Sequence, residues 1–209
     1  VVNVGPGAGS YEPTDRFVVA VEPSMTMIQQ RPSRSAPVVQ ALAAELPFRD
    51  ATFDASLAIL TIHHWPNWRR GLQELARSAR RRVVLLTWDP STTGFWLVDD
   101  YFPEVLTIDR QIFPTLEELK HELGQVTVAS VHIPHDCTDG FLGAYWRRPH
   151  AYLQSSVRAA ISTFAKVRSI EEGLARLRQD LSSGEWHRRY HALLSEQRLD
   201  LGYRLIVAA

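Results

Sequence analysis

A single cysteine, Cys137, stands in 209 residues. An internal disulfide is therefore impossible, and no cysteine-based zinc cluster can be built. That scarcity suits a reducing compartment, and the cytoplasm is the expectation. Surplus charge of either sign is missing too, with Lys+Arg and Asp+Glu at 23 each. A chain that lives on nucleic acid or on an anionic membrane carries a basic excess, so neither partner is expected. No apolar run approaches the ~20 residues that span a bilayer. Repeats and low-complexity tracts are absent as well. What is present is ordinary globular material: 45% hydrophobic and 22% charged residues, enough for a packed core.

The first half alternates strand and helix signals. Val1 to Gly5 is a short apolar run that enters a glycine turn, and Phe17 to Val21 is a second such run. A first strand with nothing ahead of it leads us to expect an element before Val1. Ser24 is placed to cap a short helix over Met25, Met27 and Ile28. Val38-Val39 begins a third strand, Phe53 to Ile62 a central one, and Val83 to Leu86 a fifth. Between the last two, Pro66 opens a helix with Trp68, Leu72, Leu75, Ala76 and Ala79 on one face. Such alternation predicts a parallel sheet covered on both faces.

Further on, Thr115 should cap a helix over Leu116 to Leu123, and Val126 to Ile133 alternates as a sixth strand. Helices are predicted over Tyr152–Val167, Ile170–Leu181 and Glu185–Leu194, with Ser182-Ser183-Gly184 as a break, before a final strand over Gly202–Ala208.

Gly5-Pro6-Gly7-Ala8-Gly9 carries the first chemistry. Small residues after a strand let a ligand approach the backbone, whose N–H groups can face an anion. A dinucleotide fingerprint needs its third glycine where Ser10 stands, so the spacing disfavours a nicotinamide enzyme. Glu22 follows 17 residues after Gly5, at the end of the next strand. A carboxylate there can accept from both hydroxyls of a ribose at the switch point of an open sheet, or can cap the next helix.

The pieces VVNVGPGAG, VVAVEPS, AELPFRDATFD, LAILTIHHWPN and VVLLTWD, in that order over about residues 1–90, resemble the class I S-adenosylmethionine-dependent methyltransferases, especially their small-molecule branch. The resemblance implies an α/β, doubly wound, mostly parallel seven-stranded Rossmann-like sheet. Its last strand would be antiparallel, with a helical insertion before it. The expected division is a cofactor-binding core over 1–133, a substrate-side insertion over 134–200 and the final strand over 201–209. S-adenosyl-L-methionine would be the cofactor and a small molecule the acceptor.

The resemblance also implies residue roles. Gly5 and Gly7 would lie against the methionine half of the cofactor, and Glu22 would hold the ribose. Ser24 and Met25 would line one adenine face, and Ala43 would meet the adenine edge through its backbone. Thr61 would offer its carbonyl to the methionine ammonium. Three departures stand out: Asn3 where the family has an acid, Leu42 in place of a polar neighbour of adenine, and only seven residues between Gly9 and Phe17 for a helix. They motivate a second reading, a protein that binds the cofactor or S-adenosylhomocysteine without transferring methyl.

Methyl transfer from a sulfonium needs alignment and water exclusion, and a base only where the acceptor must lose a proton. His63, His64 and His135 are the candidate bases, with His64 the first choice; a packed loop is an equal reading for His64 and the favoured one for His135. Tyr145, Trp146, Arg147 and Arg148 could hold a flat or anionic acceptor, or could end a helix. His187 and His191 lie four apart on a predicted helix, yet no third ligand accompanies them, and no metal is expected. Arg69, Arg70, Arg77, Arg80, Arg81 and Arg82 are expected on a solvated face around one helix.

Overall fold

Valine-rich runs set the sheet because β-branched side chains fit a pleated, buried surface. The computed structural model describes all residues from Val1 to Ala209. In chain order the elements are β1 (Val2–Val4), β2 (Val19–Val21), α1 (Met25–Gln29), β3 (Val38–Val39), β4 (Phe53–Ile59), α2 (Trp68–Ser78) and β5 (Ala79–Trp88). A π-helical turn, Leu97–Tyr101, leads to α3 (Pro103–Ile112) and α4 (Leu116–Leu123), then β6 (Val126–Pro134). After two 3-10 turns come α5 (Ser155–Ala159), α6 (Glu171–Ser183), α7 (Glu185–Tyr190) and β7 (Arg198–Ala208).

The seven strands form one sheet in the order β3-β2-β1-β4-β5-β7-β6. From β3 across to β5 every neighbour is parallel, and β7 runs antiparallel to β5. The expected α/β, doubly wound, mostly parallel sheet is thus observed. The chain steps from β1 outward to β3, then returns to lay β4 on the other side of β1. That reversal opens a crevice beyond the carboxyl ends of β1 and β4.

The chain divides into two compact units. The first comprises Val1–Asp89, Phe113–Ser130 and Tyr203–Ala209. Its core is aliphatic, built on Val2, Val4, Val21, Leu72, Leu75, Leu85 and Ile206. The second comprises Pro90–Ile112 and Val131–Gly202. Its core is aromatic: Trp96 meets Tyr101, Tyr152 and Trp186 edge-on at 5.2–5.8 Å. Trp96 donates to the Trp146 carbonyl at 2.8 Å, and Trp146 to the Ile133 carbonyl at 3.0 Å. No helix is long and apolar enough to cross a membrane.

Several expectations need correction. Residues 90–112, expected within the core, belong to the second unit and include a helix that was not anticipated. The single helix over Tyr152–Val167 is instead three short pieces, because Gln154, Ile161 and Val167 adopt extended backbone. Arg80, Arg81 and Arg82 lie in β5, not around a helix, since Ala79 turns from helical to extended with no loop between. Helix α2 starts at Trp68 with Asn67 as its cap, whose side chain accepts from the Arg70 amide at 3.1 Å. Strand β4 stops at Ile59, because Leu60 takes a left-handed φ of 51°.

Candidate functional site

Four strand ends of the first unit supply the site. Strand β1 delivers the chain to Gly5, whose φ of 75° suits glycine, and the Gly5 amide donates to the Val21 carbonyl at 2.8 Å. A Cβ at Gly5 would lie 2.1 Å from Thr61 Oγ1, so the first glycine and the end of β4 meet with no room between them. Gly7 has a φ of 57° and open space where a Cβ would stand, which leaves its face accessible.

Glu22 ends β2 and is 7% exposed. Its Oε2 accepts from the Gly7 amide at 2.9 Å and its Oε1 from the Ser24 amide at 3.0 Å. The carboxylate is therefore fixed between the glycine loop and the start of α1. Ser24 caps that helix, accepting from the Met27 amide at 3.3 Å, and Met25 is half exposed.

The turn after β3 buries Ala43 and exposes Leu42. Helix α2 holds this turn from behind. Glu74 accepts from the Leu46 amide at 3.0 Å, and Arg77 donates to the carbonyls of Leu46 and Phe48 at 3.2 and 2.7 Å. The Arg77 guanidinium, and after it the Leu46 amide, hold the Glu74 carboxyl below the usual range despite its burial. Beyond β4, Thr61 is buried, and its carbonyl accepts from the His64 amide at 2.8 Å. A carbonyl has a second lone pair, so that bond leaves acceptor capacity. The His64 ring lies tilted by 44° against His63 at 3.9 Å, and His63 stacks on Phe113 at 4.1 Å.

Together these segments wall a cavity of about 310 Å³, lined among others by Val4, Gly5, Pro23, Ala43, His64 and Trp65. Of the residues singled out in the sequence, the first unit gathers Gly5, Gly7, Glu22, Ser24, Ala43, Thr61 and His64. Gly5, Ala43 and His64 line the cavity, whereas Gly7, Glu22, Ser24, Met25 and Thr61 do not. His135 belongs to the second unit, where its amide donates to the Gln197 carbonyl at 3.0 Å.

The aromatic–arginine cluster has a structural occupation. Trp146 is fully buried, Arg147 donates to the carbonyls of Leu194 and Glu196, and Arg148 donates to those of Cys137 and Ala144. Asn3 is 1% exposed, and neither end of its side-chain amide has a hydrogen-bond partner. Sequence reasoning missed Glu74 and Arg77, which brace the turn carrying Ala43. Their signal was an acid and an arginine three apart on α2, the ordinary spacing of a helical ion pair.

Comparison with known proteins adds three findings. Residues 2–87 match the family described as a methyltransferase domain. A solved structure from Anabaena variabilis, described as a candidate methyltransferase from an antibiotic biosynthesis pathway, is 36% identical with a TM-score of 0.90, covering 100% of this chain and 90% of that one. A Thermotoga maritima structure described as a possible histamine N-methyltransferase is 16% identical with a TM-score of 0.59, over 99% of this chain and 80% of that one, and shares the fold alone. Among curated proteins, the chloroplastic 2-methyl-6-phytyl-1,4-hydroquinone methyltransferase 2 of Oryza sativa subsp. japonica is 29% identical over 56% of this chain. The chain spans 35% of that relative's length.

Proposed function

The chain belongs to the class I S-adenosylmethionine-dependent methyltransferases, and on that premise we propose that it transfers a methyl group to an oxygen or nitrogen of a small-molecule acceptor. The observation that carries the proposal is the crevice of the first unit. A glycine loop with an open face, a pinned carboxylate and a buried threonine stand at the ends of β1, β2 and β4, beside a cavity lined by Gly5, Ala43 and His64. The names of two relatives, one from antibiotic biosynthesis and one acting on a hydroquinone, support a small acceptor.

The residues fit the cofactor. S-adenosylmethionine brings an already activated methyl on a sulfonium, so the protein's work is holding, aligning and excluding water. Glu22 retains a lone pair on each oxygen for the ribose hydroxyls. Gly5 and Gly7 allow the methionine half to lie against backbone. Ser24 and Met25, at the start of α1, would flank the adenine together with Ala43, and Thr61 would offer its carbonyl to the ammonium. His64, in the 3-10 turn that follows β4, is the first candidate to accept an acceptor's proton, and His135 is the second.

Titration calorimetry with S-adenosylhomocysteine tests the cofactor site: saturable binding is expected, and no heat at millimolar ligand would overturn the proposal. Incubation with methyl-labelled cofactor and panels of phenols and amines tests the acceptor. Label in small organic products is expected. Binding with no product across both panels would instead favour a cofactor-binding protein that does not transfer methyl.

A further inference from the structure

In a parallel sheet the crossover from one strand to the next is ordinarily a helix, and its first amides form an anion site. Here the segment between β1 and β2 contains no helix. The glycine loop must keep its shape by other means, and a near-buried ion pair supplies them. Arg31, just past α1, has a side chain 4% exposed, and its partner Glu12, on the outer arm of the loop, is 12% exposed.

Both terminal nitrogens of this guanidinium are engaged. One Arg31 nitrogen donates to the Gly7 carbonyl at 3.3 Å, and the other donates to Glu12 and to the Ala36 carbonyl at 3.0 Å. Glu12 in turn accepts from the Ala36 amide at 2.8 Å. Gly9 packs against this brace: a Cβ there would come 3.0 Å from Ser35 Oγ and 3.6 Å from an Arg31 nitrogen. One side chain thus ties the glycine loop, its outer arm and the segment after α1 into a single piece.

The peptide geometry gives this tie a direction. The Gly7 carbonyl and the Ala8 amide share one planar trans unit and point opposite ways. Drawing the carbonyl onto Arg31 turns the Ala8 N–H to the other side of the loop, away from the guanidinium. A charge-assisted bond to the carbonyl also polarises that N–H as a donor. Because Glu12 neutralises Arg31, the effect on a ligand is one of orientation and not of bare charge.

We infer that Arg31 is a positioning residue which, through the Glu12 pair, shapes the Gly5–Gly9 loop to receive the amino-acid half of the methyl donor, in place of the absent helix. This inference rests on the cofactor reading of the crevice.

The test compares two ligands by calorimetry: S-adenosylhomocysteine, and 5′-methylthioadenosine, which keeps the nucleoside and sulfur but lacks the amino-acid chain. Arg31→Ala is expected to weaken S-adenosylhomocysteine about tenfold, the scale of a lost charge-assisted bond, and to leave 5′-methylthioadenosine unchanged. Arg31→Lys keeps the charge without the planar fork and should not restore affinity. Retained S-adenosylhomocysteine affinity in Arg31→Ala, equal loss for both ligands, or rescue by lysine would each overturn the inference. Should Arg31→Ala fail to fold, Glu12→Gln carries the same comparison: a smaller loss confined to S-adenosylhomocysteine is expected, and no loss overturns it. Wild-type protein that binds neither ligand would instead bring down the cofactor reading itself, before any variant is made.

Discussion

The two compact units treat a buried carboxylate in opposite ways. In the first unit Glu74 is almost covered, yet it receives N–H groups from Leu46, Arg70 and Arg77, and its carboxyl is held below the ordinary range. In the second, Asp109 is 4% exposed and accepts from the Thr163 hydroxyl at 2.5 Å. Burial pushes its carboxyl up to about 6, against the opposing pulls of Thr163 and Lys166. The same functional group is thus stabilised where donors surround it and penalised where they do not. The cores differ in parallel, with interlocking aliphatic side chains in one and edge-to-face indoles and phenols in the other.

The strongest break of this contrast removes an aromatic keystone. Trp186→Ala should cost about 3–5 kcal/mol of stability, read by denaturant unfolding, because its fully buried ring leaves a large void. Asp109→Asn should stabilise the protein by up to about 3 kcal/mol above pH 6, the equivalent of the rise from 3.8 to about 6. The sign follows from the raised folded-state value. Wild-type stability relative to the variant is full below pH 3.8 and is lost as pH rises through about 6, so the two should coincide in acid. Thermal melts at several pH values check this.

Glu74→Gln should move the opposite way, with a loss of about 2–3 kcal/mol at neutral pH from weakened charge-assisted bonds. Its depressed carboxyl means the wild-type advantage is present above the ordinary glutamate value of 4.5 and fades as pH falls through the folded value. Glu22→Ala addresses binding: calorimetry should show S-adenosylhomocysteine weakened by about 1–3 kcal/mol. The smallest effect belongs to Thr115, whose hydroxyl accepts from the Glu118 amide at 3.2 Å in a capping box on α4. Thr115→Ala should cost about 1 kcal/mol in the same unfolding assay.

Much of the first unit was legible because its elements obey one period each. Val2 to Val4 and Val19 to Val21 are continuous apolar runs, and Leu72 and Leu75 keep helical spacing. The second unit resisted for physical reasons. Tyr152 and Ile161 are both buried though nine residues apart, which puts them on opposite faces of an ideal helix, so a continuous helix was a poor description of their path. In α3 only Val105 and Asp109 are fully covered, and a buried carboxylate reads in sequence as a solvent-facing residue. The arginines at the head of β5 disguised a strand, since that stretch is exposed and the buried part begins at Val83. Gly5, Glu22, Ala43 and His64 could be assigned to the strand ends of the first unit from order along the chain. The Arg31–Glu12 brace could not, because it depends on a loop path that composition does not encode.

Glu22 carries one last implication. Its carboxylate is clamped by two amides of its own chain, so its rotamers are surrendered during folding and not on docking. In the proposed cofactor site, a diol arriving there would meet a rigid template and forfeit only its own freedom, so preorganisation would add to the strength that the contacts supply.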